Sequence, residues 1–311
     1  MDDLTFFQTW GLAFQARRNE LDIAGSPYRC RERFVFSDTA NQIHIAEAFP
    51  AEKKERQIRI SWMLEFLSEA KLPVTAYRRT QDGDFGLERD DAFWQVRQWS
   101  KGEALSVDRM ASAGEIGRKY AEFLIHLRNA TISFVPEYLA QTGERPFRFS
   151  RFFHGMEKLV EERAKSRKTE IFSLMESVGE FCGLEPCLPR FLAHGDYHPL
   201  NVLLHDGKIS SVVDWEFSGV KCAGYDAALM LGCMGINSPD LLRSEMADTF
   251  RTALRDAAYL HPVVRKYFPD MVVCTRLSWL GEWIEVGDEE MIQREIDYIH
   301  FLRGAADLLR I

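Results

Sequence analysis

In the stretch His194-Gly195-Asp196-Tyr197-His198-Pro199-Leu200-Asn201 a carboxylate and a carboxamide stand close together, and a second carboxylate follows at Asp214. Glycine and proline punctuate the stretch and keep Asp196 in a loop, where catalytic groups usually sit. Phosphoryl transfer asks for little covalent help: magnesium to neutralise the phosphates, hard oxygen ligands to hold it, and a carboxylate to orient the attacking hydroxyl and take its proton. Asp196, Asn201 and Asp214 supply those three parts. Taken singly, an Asp in a loop is more often a turn former or a helix cap. The combination at these spacings is what points to chemistry. His194 and His198 lie four apart, but Gly195 and Pro199 are poorly suited to a helical metal-binding pair, so both read as structural loop residues.

These groups need elements to position them. Asn201-Val202-Leu203-Leu204 and Ile209-Ser210-Ser211-Val212-Val213 flank Asp206-Gly207, a dipeptide suited to the two-residue turn of a hairpin. Counting outward from that turn places Asn201 opposite Val212, with Asp214 about one diagonal away. Upstream, Arg33–Phe36, Gln42–Phe49 and Phe93–Trp99 read as strands. Between them, residues 52–71 carry Ile58, Trp62, Phe66 and Ala70 at helical spacing and stop at Lys71-Leu72-Pro73. After Gly102 the periodicity is helical, with Ile116, Tyr120, Phe123, Leu124 and Leu127 on one stripe. The expectation is a strand-rich lobe over residues 1–99 and a mostly helical lobe over 100–311.

The spaced combination His194-Gly195-Asp196 to Asn201, Val213-Asp214-Trp215-Glu216 and Gly224-Tyr225-Asp226 resembles the aminoglycoside phosphotransferase and choline kinase family of protein-kinase-like small-molecule kinases. The resemblance covers nearly the whole chain in architecture, and in motif only a small part. It implies an α+β, bilobal protein-kinase-like fold and an ATP- and Mg2+-dependent transfer of the γ-phosphoryl group to a hydroxyl of a small molecule. It further implies Asp196 as catalytic base, Asn201 and Asp214 as magnesium ligands, and Asp226 as a buried brace which, with His194, supports the catalytic loop. Members act on aminoglycosides, choline, ethanolamine, homoserine, thiamine and sugars.

Two departures from the family pattern stand out. The strand before the long helix, which in the family carries a Lys or Arg paired with a Glu on the helix, here offers Glu47 and no basic residue. A reversed pair follows as an expectation: Arg59, sharing a helical face with Met63 and Leu67, meets Glu47 and turns toward the phosphates; Lys53 and Lys54 are the other basic residues in reach. The nucleotide loop has a single glycine, in Ala24-Gly25-Ser26-Pro27-Tyr28-Arg29, so backbone amides near Gly25 and Ser26 are expected against phosphate oxygens. These departures motivate an alternative, a nucleotide-binding pseudokinase or regulatory module without turnover. A protein hydroxyl as acceptor would share the motifs, but no segment identifies a peptide-docking groove.

Trp279 and Trp283 lie one helical turn apart beside Glu282 and could bind a cationic acceptor through cation–π attraction; the plainer reading is core tryptophans with a solvated acidic face. The formal net charge of -8 disfavours a nucleic-acid or anionic-membrane partner and mildly favours an amine-bearing acceptor. Six scattered cysteines without a C-x-x-C pair, an acidic rather than basic N-terminus, and no apolar run long enough to cross a bilayer set the expectation of a cytoplasmic protein with reduced thiols.

Overall fold

The computed structural model describes residues 6–25 and 29–311. The chain divides into two compact units, Met1–Leu105 with Leu200–Glu216, and Ser106–Pro199 with Phe217–Ile311. Strands are numbered in chain order: β1 (Phe14–Arg17), β2 (Glu32–Asp38), β3 (Ile43–Pro50), β4 (Leu87–Arg89), β5 (Ala92–Gln98), β6 (Glu103–Ala104), β7 (Arg190–Ala193), β8 (Val202–His205), β9 (Lys208–Val212) and β10 (Gly219–Cys222).

In the first unit β1 to β5 form an antiparallel sheet in the order β1-β2-β3-β5-β4. Successive side chains along a strand face opposite ways, so this sheet has two distinct faces. Phe34, Phe36, Ala46 and Val96 point to one and pack with Phe6, Phe7, Trp10 and Leu12 in an apolar core. The register pairs Arg33 with Glu47, Ile45 with Arg97 and Glu47 with Gln95, which sets charged and polar groups on the other face. That face meets α1 (Lys54–Glu69): the Gln95 carboxamide donates to the Ser61 hydroxyl of the helix at 2.7 Å. The helix ends where Lys71 turns left-handed at φ 65° and the Leu72 amide donates to the Leu67 carbonyl, just before Pro73. A second small sheet, β6-β8-β9, carries the Asp206-Gly207 hairpin.

The second unit is helical apart from the antiparallel pair β7-β10. Its longer helices are α2 (Gly114–Thr131), α3 (Phe149–Arg163), α4 (Tyr225–Gly235), α5 (Glu245–Asp256), α6 (Phe268–Val286) and α7 (Glu289–Gly304). The expected apolar stripe is buried, with Tyr120, Phe123, Leu124 and Leu127 all in the core. Gly117 allows α2 to press against α5, because a Cβ there would stand 2.1 Å from the Met246 carbonyl oxygen. The α4 helix is buried almost throughout, which explains its lack of an amphipathic pattern. None of the six cysteines forms a disulfide. Among the described residues no helix is long and apolar enough to cross a membrane.

Candidate active site

The hairpin turn forms where expected. Asp206 (φ 48°) and Gly207 (φ 70°) are both left-handed, as a tight hairpin of matching twist requires. The register beyond it differs from a simple count. Leu204 pairs with Ile209 but Leu203 with Ser211, so Ser210 is an extra, bulged residue. The Asn201 carbonyl therefore accepts from the Val213 amide at 2.9 Å, in place of the expected alignment with Val212. Asp214 is the next residue along, one position closer to Asn201 than counting placed it. Its backbone is left-handed at φ 67°, a conformation costly for a non-glycine residue and common where a side chain is held for function.

Asp214 forms part of the wall of a cavity in the first unit, with Gly25, Arg29, Arg33, Glu47 and Arg97. Arg29 donates to one Asp214 carboxylate oxygen. Gly25 lies beside the same carboxylate: at φ 90° it adopts a left-handed turn, and a Cβ there would stand 3.6 Å from Asp214 Oδ2. Arg33 fixes this loop by donating to the carbonyls of Ile23 (3.2 Å) and Gly25 (3.0 Å). Ser26 lies outside the described residues.

The expected Glu47–Arg59 pair does not form. Arg97 Nε and Nη2 donate to the two Glu47 carboxylate oxygens at 2.8 and 3.3 Å, and the Tyr77 hydroxyl adds a third bond at 3.0 Å. The reason is register: Arg97 is the diagonal cross-strand neighbour of Glu47, a distance that a long side chain spans without leaving the sheet face. Arg59 is partly buried, and its Nε has no hydrogen-bond partner. Burial pushes the Glu47 carboxyl up, but the charge and hydrogen bonds of Arg97 and the Tyr77 hydroxyl outweigh it and hold the group below the usual carboxylate range. Lys53 approaches Glu216 at 3.8 Å and Lys54 bonds Glu88, so neither reaches Glu47. Glu216 in turn accepts from Gln57 at 2.9 Å and ties α1 to the segment after β9.

In the second unit the stretch His194-Gly195-Asp196-Tyr197-His198-Pro199 follows β7. The Asp226 carboxylate, at the start of α4, accepts from the backbone amides of His194 (2.7 Å) and Gly195 (2.8 Å). Gly195 is left-handed at φ 83°, and a Cβ there would meet the Phe217 carbonyl oxygen at 2.0 Å, so only glycine fits. His194 is fully buried and its Nδ1 accepts from the Asp196 amide at 3.1 Å. Tyr197 anchors the loop through its hydroxyl to the Tyr120 carbonyl (3.0 Å) and by stacking on Phe123. The Asp196 carboxylate lies 3.6 Å from His198 Nε2. Lys221, which nothing in the sequence singled out, is buried with its amine against the rings of Phe147 and Tyr225.

Burial raises Asp226 from the usual 3.8 to about 6, with the nearby Asp196 charge adding to the shift and the two amides and Lys221 opposing it. The folded protein thus holds this proton over a range where the unfolded chain has released it. The stabilising contribution is complete below the unfolded value and is lost as pH rises through 6. We expect the stability of Asp226→Asn relative to wild type to rise by about 1 kcal/mol between about pH 5 and pH 7.5 in urea unfolding. A difference independent of pH would contradict an Asp226 titration in that window.

Trp279 and Trp283 stack with centroids 5.8 Å apart, and Glu282 is exposed. The cation beside Trp279 is the protein's own Arg276, 6.0 Å from the ring and itself bound bidentately to Glu295 at 2.6 Å.

Among the described residues no three His, Cys, Asp or Glu side chains gather as a metal site. Asp214 offers carboxylate oxygens in the cavity wall, and Asn201, joined through its backbone carbonyl to the Val213 amide, carries a carboxamide oxygen. That set suits a hard cation which completes its shell with water and phosphate oxygens, as magnesium does with nucleotides, and not a cation needing an all-protein cage. Arg29 already sets a positive charge on Asp214.

A model of the phosphotransferase enzyme family matches residues 31–265. No curated protein matches the chain. Among solved structures, the amicoumacin kinase hAmiN in complex with AMP-PNP, Ca2+ and Ami superposes with a TM-score of 0.71 at 15% identity, over 96% of this chain and 93% of that one. The GDP and kanamycin complex of APH(2")-IIIa gives 0.66 at 15% identity, over 97% and 98%. An ethanolamine kinase of Plasmodium vivax gives 0.63 at 16% identity, over 94% and 82%. These likenesses establish the protein-kinase-like, bilobal α+β fold.

Proposed function

The chain belongs to the phosphotransferase enzyme family, and from that premise we propose that it is an ATP- and magnesium-dependent kinase that phosphorylates a hydroxyl of a small molecule. The observation that carries this reading is the cavity in the first unit where Arg29, Arg33 and Arg97 line the wall with the Asp214 carboxylate. Arginines beside a carboxylate on a strained backbone are what a magnesium polyphosphate requires.

Asn201 and Asp214 hold the metal, which when bound neutralises the phosphates. Arg97 replaces the expected strand lysine. Glu47 binds its Nε and Nη2, which fixes the guanidinium in the cavity wall. Gly25 supplies the left-handed turn, at φ 90°, that carries the loop past Asp214. Asp196 orients the acceptor hydroxyl and takes its proton. His198 Nε2 lies 3.6 Å from the Asp196 carboxylate and helps to orient it, and His194 and Asp226 hold the loop backbone. The net charge of -8 agrees with an amine-bearing acceptor.

The test is phosphoryl-donor consumption with magnesium, using ATP and GTP in parallel, across amino alcohols, aminoglycosides and sugars. Acceptor-dependent turnover supports the kinase and names its substrate class. Tight magnesium-nucleotide binding with no turnover on any acceptor favours the regulatory, non-catalytic module.

A further inference from the structure

Three arginines line the cavity, and their partners differ. Arg33 donates to two loop carbonyls, and Arg97 is bound to Glu47. Arg29 is paired with Asp214, the residue to which the reading above gives the metal. The Arg29 and Asp214 side chains are 20% and 9% exposed, so this ion pair is largely withdrawn from water. A mostly buried carboxylate needs a counter-charge, and Arg29 supplies one. A divalent cation on the same carboxylate would be repelled by a guanidinium held there. The γ- and β-phosphates offer that guanidinium an alternative partner of matching geometry.

We propose that Arg29 is a phosphate-binding residue that occupies Asp214 in the free protein and passes to the nucleotide phosphates as the metal takes Asp214. This rests on Asp214 being the metal ligand. The exchange makes metal and nucleotide binding mutually dependent: each is weak alone, because Arg29 must leave Asp214 for the metal and has an internal partner competing with phosphate. Linkage makes the coupling equal in both directions. Arg29 thus joins Arg97 as a guanidinium of the cavity wall available to the phosphates.

The experiment is Mn2+ binding to the full chain, followed by electron paramagnetic resonance, without nucleotide and then with AMP-PNP. Arg29→Met should bind Mn2+ alone about tenfold more tightly than wild type and bind AMP-PNP about tenfold more weakly, so that the coupling between the two ligands falls. Arg29→Lys, which keeps the charge, should retain most of the wild-type weakness toward Mn2+ alone. Asp214→Asn should lose Mn2+ binding under both conditions. If Arg29→Met binds Mn2+ as wild type does while Asp214→Asn loses it, the exchange is wrong and the metal assignment stands. If Asp214→Asn binds Mn2+ normally, the metal assignment is wrong and the exchange falls with it.

Discussion

Asp196→Asn should lower kcat on order of a hundredfold or more while leaving the fold and nucleotide affinity close to wild type, the usual size of effect for a positioned general base. Asparagine matches aspartate in shape but cannot take a proton from the acceptor hydroxyl. Groups other than the Asp196 carboxylate hold the course of the loop. That course is fixed by the Asp226 carboxylate on the amides of His194 and Gly195, by the Asp196 amide on His194, and by the Tyr197 hydroxyl on the Tyr120 carbonyl. The loss should therefore appear in turnover, with thermal unfolding and AMP-PNP affinity as controls. Near-normal kcat in a folded variant would falsify the assignment of Asp196 as base.

The second large effect concerns stability. Glu47→Leu leaves Arg97 charged, buried and without its bidentate partner, and leaves the Tyr77 hydroxyl without its acceptor. Removing one member of a buried ion pair costs about 3–5 kcal/mol, because the remaining charge is desolvated and uncompensated. The double variant Glu47→Leu with Arg97→Leu should recover most of that stability, since an apolar pair of similar volume replaces an expensive ionic one. It should also lose nucleotide affinity, because the cavity loses a guanidinium. Glu47→Lys is expected to be worse than Glu47→Leu, since it sets a second cation against Arg97 and opposite Arg33. Urea unfolding of the four proteins decides the matter; a cost below about 1 kcal/mol for Glu47→Leu would mean that water reaches Arg97 freely.

What could be read directly from the residues was local. Asp196, Asn201 and Asp214 could be singled out because the chemistry proposed for them depends on residue type and short spacing. The Asp206-Gly207 turn was legible because few dipeptides tolerate left-handed backbone at both positions. The long helix and its stop before Pro73 followed from periodicity and from proline's geometry, and Gly117 became intelligible once a second helix lay against it.

What the tertiary structure decided was pairing across distance. The Ser210 bulge moved the hairpin register by one residue, and no local propensity announces an extra residue in a strand. Arg97 rather than Arg59 met Glu47, because strand register chooses among cations that composition makes equivalent. Arg29 was visible as a loop residue, but its attachment to Asp214 joins positions far apart in the chain. Residue types and their periodicity were enough for the chemical groups and the elements that bear them. The tertiary structure decided which charges neutralise one another, because a buried ion pair is selected by distance and desolvation, and both exist only once the chain has packed.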